Sequence, residues 1–197
     1  MRRPENGGRV MAKFFGNLHL VLAAGLVLAL LVILAVPANT IPEQALLRWL
    51  HLFFGITWIG LLYYFNFVRI PTMPKVPAEL KPGVSKYIAP SALFFFRWSA
   101  AFTVLTGLVI AWRSFYLVEA LTFKPGFVLI GIGMWLALIM AFNVWFVIWP
   151  NQKKALGLVP AEDAVKAKAA TTAMIVSRTN TLLSLAMLYC MINFNGG

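Results

Sequence analysis

LRWLHLFFGITWIGLLYYFNFV, residues Leu47–Val68, decides how the rest of the chain is read. The stretch is long and apolar enough to cross a bilayer, which takes about 20 residues as a helix. It nevertheless carries Arg48, His51, Trp58 and Asn66. At roughly 100° per residue, Arg48, His51, Gly55, Ile59, Leu62 and Asn66 share one stripe of the helix, with Trp58 at its edge. Hydrocarbon cannot hydrogen-bond such a stripe, so it is expected to turn toward other helices or a ligand.

The surrounding sequence fits a lipid setting. Of 197 residues, 61% are hydrophobic and 12% charged, against about 25% charged in soluble domains. The net charge of +11 does not point to nucleic acid. Its basic residues sit in short segments between apolar runs, the pattern of a protein oriented by cytoplasmic positive charge. The single Cys190 excludes an internal disulfide and any Cys-x-x-Cys metal or haem-attachment motif.

The fold class expected is all-α, a bundle of five transmembrane helices at about 14–36, 46–68, 91–112, 126–149 and 171–192. Residues 1–13 form a basic cytoplasmic tail, expected to be poorly ordered, and 14–197 a single transmembrane domain. The first run also resembles a signal peptide, with Val36-Pro37-Ala38 as a cleavage pattern. It is longer than the usual signal core of roughly 7–15 residues and reads as a retained helix. The polar, proline-rich segment 69–90 reads as a loop, with room for a short interfacial turn, and not as a span. Pro150-Asn151 reads as the end of the fourth span, because proline cannot continue the hydrogen-bonded ladder. Ala161-Glu162-Asp163 after Pro160 reads as a helix start.

Orientation follows from the cations. Arg2, Arg3, Arg9 and Lys13, then Arg69, Lys75, Lys81 and Lys86, then Lys153, Lys154, Lys166 and Lys168 fall on one side. The other side holds Arg113 and Lys124, with Glu43 and Glu119. The N-terminus is therefore expected in the cytoplasm and the C-terminus outside.

Depth follows from a rise of about 1.5 Å per residue. Arg97 and Arg178 lie about two turns in from the basic side, in the same half as Asn66, Asn143 and Asn180. His51 and Arg48 lie in the opposite half. His19 is near the inner end of the first span, roughly 15–20 Å from His51 along the normal, so the two are not expected to grip one metal or haem. All six acids fall in tails or loops, leaving Arg97 and Arg178 without an intramembrane carboxylate. They either reach for headgroups, converge with Asn143 and Asn66 on an anion such as a propionate, a small acid or a lipid phosphate, or pair between subunits.

His51 has two readings as well. Imidazole is a common metal and haem-iron ligand, and a buried imidazole also simply bonds a backbone carbonyl. Gly55, one turn along, admits a flat ring or another helix. Trp49, Trp112, Trp149 and Tyr189 fit interfacial belts; Trp58 sits too deep and is read as packing against the stripe. No soluble catalytic constellation is present, so an enzyme here takes its chemistry from a cofactor.

Four stretches taken together resemble the membrane domain of bacterial cytochrome-c-linked urate oxidase (urate hydroxylase). They are RWLHLFFGITWIGLLYYFNFV (Arg48–Val68), FFFRWSAAFTVLTGL (Phe94–Leu108), NVWFVIWPNQKK (Asn143–Lys154) and SRTNTLLSLAMLYCM (Ser177–Met191). The resemblance implies a redox-associated, multi-pass protein of the bacterial inner membrane. It adds to the reading of His51 as the ligand of a b-type haem, with Arg48, Gly55 and Trp58 beside it. That family has more spans between the matched halves and an external cytochrome c domain. This chain has an added first span and no Cys-x-x-Cys-His, so electrons would pass to a separate cytochrome c or a quinone. Two other readings stand beside this one. One is a small-anion binding or transport protein using Arg97, Arg178, Asn143 and Asn66. The other is a non-catalytic membrane subunit or assembly factor that pairs with partner subunits. The residues leave open whether the chain is itself an enzyme.

Overall fold

Apolar runs of this length, in a chain whose backbone must satisfy its own hydrogen bonds, can only become helices. The computed structural model describes residues 6–36 and 42–194, and they carry helix and no strand. Five helices are long and apolar enough to cross a membrane: Leu18–Ala35, Glu43–Lys75, Lys81–Arg113, Val128–Ala155 and Asp163–Ile192. The five expected spans are all present. Pro37 and Ala38 of the cleavage pattern, and Arg2 and Arg3 of the tail, lie outside the described residues.

The chain divides into two units, residues 1–46 and 47–197. In the first, α1 (Asn6–Phe15) occupies the tail expected to be poorly ordered. Its last turn holds Lys13, a favourable place for a cation on the helix dipole. The Asn17 side chain caps α2 (Leu18–Ala35), accepting from the His19 and Leu20 backbone N–H groups at 3.1 and 3.3 Å. No residue of α2 is buried.

The second unit contains most of α3 (Pro42–Tyr63), then α4 (Ala89–Arg113), α5 (Leu117–Leu121), α6 (Val128–Phe142), α7 (Trp149–Ala155) and α8 (Asp163–Ile192). As expected, α8 starts at Asp163, directly after Glu162.

The prolines depart from expectation. Segment 69–90 is not a plain loop: α3 runs on through wide and tight turns to Lys75, and helix resumes at Lys81. Nor does Pro150 end the fourth span, which continues to Ala155. The reason is a repeated local solution. A π-helical turn precedes each of Pro71, Pro90 and Pro150, at Tyr64–Arg69, Val84–Ile88 and Asn143–Ile148. In all three, the residue just before the proline donates its N–H five residues back: Ile70 to Phe65, Ala89 to Val84 and Trp149 to Val144. A proline ring collides with the carbonyl four residues behind it in an α-helix. Widening the preceding turn by one residue relieves that collision and lets the helix continue.

The core of the second unit is formed by Trp58, Ile59, Leu62 and Phe65 from α3 and its continuation, Leu93, Phe96 and Ala100 from α4, Ala137, Met140, Val144 and Ile148 from the fourth span, and Met187 from α8. Trp58 and Leu62 are fully buried. The face predicted to turn inward does so from His51 to Asn66, whereas Arg48 at its outer end is exposed.

Candidate functional site

Two polar groupings run through this core. The first is a seam along α8. Ser177, Asn180 and Ser184 are spaced three and four residues apart, so they share one helix face, and all three are buried. Asn66 Nδ2 donates to Ser177 Oγ at 2.9 Å and also to the Leu62 carbonyl at 2.9 Å. Asn143 Nδ2 donates to Asn180 Oδ1 at 2.8 Å, and Asn180 Nδ2 donates to the Met140 carbonyl at 2.9 Å. Tyr63 and Ser184 share a hydroxyl–hydroxyl bond of 2.9 Å. Leu62 and Met140 lie two and three residues before a π-helical turn, and the Met140 carbonyl also accepts the Asn143 backbone N–H. Side-chain amides meet both carbonyls.

The second grouping surrounds His51. Its Nδ1 lies 2.9 Å from the Thr103 carbonyl and 3.1 Å from Thr106 Oγ1, both on α4. A carbonyl only accepts, and Thr106 Oγ1 already donates to the Phe102 carbonyl at 2.6 Å. In the neutral imidazole this geometry puts the proton on Nδ1 and the lone pair on Nε2. Gly107, one turn beyond Thr103, makes room for the ring: a Cβ there would stand 2.9 Å from His51 Cε1 and 3.3 Å from Nδ1. The glycine that admits the imidazole is thus Gly107, not Gly55, whose added Cβ would make an ordinary 3.8 Å contact with Thr103 Cγ2.

The remaining candidates find separate places. Arg48 is exposed and lies near Tyr116 in the α4–α5 connection, where burial pushes the phenol upward and Arg48 offsets part of the rise. Trp58 is fully buried with its Nε1 unpartnered. Arg97 is 9% exposed and stacks on the Trp149 ring, its guanidinium carbon 3.4 Å from the centroid. Trp149 therefore does more than line an interface, since a desolvated cation–π pair is worth about 2 kcal/mol. Arg178 is exposed on α8. Asn66 and Asn143 meet the same face of α8, but the two arginines have different surroundings and the four do not share a partner. His19 belongs to the first unit. Sequence reading missed Thr103, Thr106, Gly107, Ser177 and Ser184. The signal was present on α4, where Ser99, Thr103, Thr106 and Gly107 repeat at helical spacing inside an apolar run.

Four helices long and apolar enough to cross a membrane, three of them joined by the buried polar seam and α4 bonded to His51, define the class of the second unit as a helical bundle of the membrane-protein type. Residues 108–195 match the family described as urate oxidase N-terminal. This segment is urate oxidase N-terminal-like, in agreement with the resemblance read from the sequence. It takes in the end of α4 and all of α5 to α8, and with them the seam residues Asn143, Ser177, Asn180 and Ser184; His51, Thr103, Thr106 and Gly107 precede it. No curated protein and no solved structure matches the chain.

Proposed function

We propose that this chain is a redox-associated subunit of the bacterial inner membrane, in which His51 holds a b-type haem and electrons pass to a separate cytochrome c or quinone. In this reading the N-terminus is cytoplasmic and the C-terminus external, as the distribution of basic residues favours. The observation that carries the proposal is the close approach of His51 Nδ1 to the Thr103 carbonyl, 2.9 Å. Haem-ligating histidines characteristically donate one ring N–H to a carbonyl, which fixes the ring and presents the other nitrogen to the iron. Thr103 and Thr106 provide that fixing bond here. Among the described residues no three His, Cys, Asp or Glu side chains gather into a metal site. A lone imidazole suits a cofactor that brings its own equatorial nitrogens.

The haem, when bound, would supply one-electron chemistry. The chain's own residues orient the imidazole, through Thr103 and Gly107, and exclude water, through the apolar core around Trp58 and Leu62. The absorption spectrum of the purified protein tests this. A Soret band is expected, lost in His51→Ala and weakened in Gly107→Ala, whose methyl group would push the ring off the Thr103 carbonyl. A protein with no Soret band, or one whose band is unchanged in His51→Ala, would end the haem reading.

One observation favours a second reading, that of a non-catalytic subunit or assembly factor. Arg178 is exposed near the middle of α8, on a face with Leu182, Leu185 and Tyr189, which are 69%, 66% and 63% exposed. An arginine facing hydrocarbon costs about 2.5–3.5 kcal/mol on insertion scales; a partner helix carrying an acid would remove that cost. Co-purification of an integral-membrane partner, lost in Arg178→Leu, is the expected result of this reading. Recovery of the chain alone from native membranes would count against it.

A further inference from the structure

Away from His51, a cavity of about 300 Å³ opens between the continuation of α3, the turns leading into α4, α7 and the first half of α8. Phe65, Met73 and Leu156 give it apolar walls, and Arg69, Ser85 and Gln152 polar ones. Two of the polar atoms are buried without a partner: Arg69 Nε, which can only donate, and Gln152 Oε1, which can only accept. The Arg69 guanidinium has no ion pair among the described residues, and its ring contact, 5.8 Å from the Phe65 centroid, is loose. No acid lines the cavity. The elements around it add Lys75, Lys81, Lys86, Lys153 and Lys154, so the local field is positive.

An occupant that satisfies these walls must bring an anionic acceptor for Arg69, an O–H or N–H donor for Gln152, and an apolar portion. We propose that the cavity binds a phosphate ester bearing a hydroxyl, in the form of the head group of an anionic phospholipid: Arg69 takes the phosphate and Gln152 accepts from the head-group hydroxyl. The depth agrees, because Arg69 follows directly on the apolar run ending at Val68, where a spanning helix leaves hydrocarbon. Basic pockets between helices at that level are the usual setting for anionic head groups. The 18 residues from His51 to Arg69 amount to about 27 Å of helix rise, so the site stands apart from the haem reading and does not depend on it.

A water-soluble phosphate ester carries the same chemistry, and the test separates the two sources. The full chain is titrated in detergent with phosphatidylglycerol, with phosphatidylcholine of the same acyl chains, which has the phosphate but no donor, and with glycerol 3-phosphate. Binding is read by native mass spectrometry and thermal melting. Phosphatidylglycerol is expected to remain bound and raise the melting temperature, and phosphatidylcholine to do neither. Arg69→Gln should weaken phosphatidylglycerol binding by about tenfold or more, and Gln152→Leu should weaken it as well. The control Lys124→Gln, at an exposed position outside the cavity, should leave it unchanged. Without lipid, Arg69→Gln should melt no lower than the parent, because it removes an unpaired buried donor; this separates lost binding from misfolding. Glycerol 3-phosphate acting as strongly as phosphatidylglycerol would sustain the chemistry and assign the site to a soluble ester. Equal binding of the two lipids, or phosphatidylglycerol binding unaltered in Arg69→Gln, would overturn the proposal and leave the cavity to water.

Discussion

Asn180→Leu is expected to destabilise the second unit by about 2–3 kcal/mol. Asn180 is fully buried and makes two bonds, accepting from Asn143 and donating to the Met140 carbonyl. Interhelical hydrogen bonds in membranes average only about 0.6 kcal/mol, with a maximum near 1.7. A simple loss of both bonds would therefore be modest. The larger figure arises because leucine leaves the Asn143 amide without its acceptor and takes one of two donors from the Met140 carbonyl, with no solvent to replace either. Double mutation with Asn143→Leu should recover part of the loss, since it removes the stranded amide. Equilibrium unfolding in mixed micelles measures this; a change below about 0.5 kcal/mol in Asn180→Leu would show that the seam contributes little.

Gly131→Ala and Gly60→Ala make the same chemical change and should have opposite signs. At Gly131 a Cβ would fall onto the backbone carbonyl oxygen of Ala120, with Phe123 Cδ1 3.1 Å away. Backbone cannot rotate aside, so α5 has to lift off α6 at a cost of about 3 kcal/mol. At Gly60, on the exposed side of α3, a Cβ would meet nothing within 4 Å. Alanine there should stabilise by about 0.5–1 kcal/mol through helix propensity alone. Two melts of equal midpoint would contradict the close packing of α5 on α6.

Much of this architecture was legible because hydrocarbon imposes a strict rule. Five apolar runs became five helices, and the stripe from His51 to Asn66 turned inward because it had nowhere else to satisfy its polar atoms. Sequence reading erred at Pro71 and Pro150, where a rule about one residue was applied without the turn before it. A π-helical turn widens the ladder ahead of the proline ring and lets the helix run on past it. The partner of His51 could not be read from spacing: Thr103 and Gly107 lie 52 and 56 positions away along the chain, and only packing of α3 on α4 joins them. Gly55 drew attention because it was near in sequence; Gly107 does the work of admitting the ring. Position along the spans points Arg97 to headgroups, an anion or a partner subunit and Trp149 to an interfacial belt, whereas packing stacks one on the other.

The haem reading rests on which nitrogen of His51 carries the proton. Magic-angle-spinning ¹⁵N NMR of the protein purified without haem and reconstituted in lipid reads this directly. The chain holds two histidines, so a His19→Gln background isolates the signal. The account predicts a protonated Nδ1, a bare Nε2, and a through-space contact from Nδ1 to the Thr103 carbonyl carbon. A protonated Nε2 with a bare Nδ1 would contradict it, because the lone pair would then sit on Nδ1, facing Thr103 and Thr106, and Nε2 would have none to offer an iron.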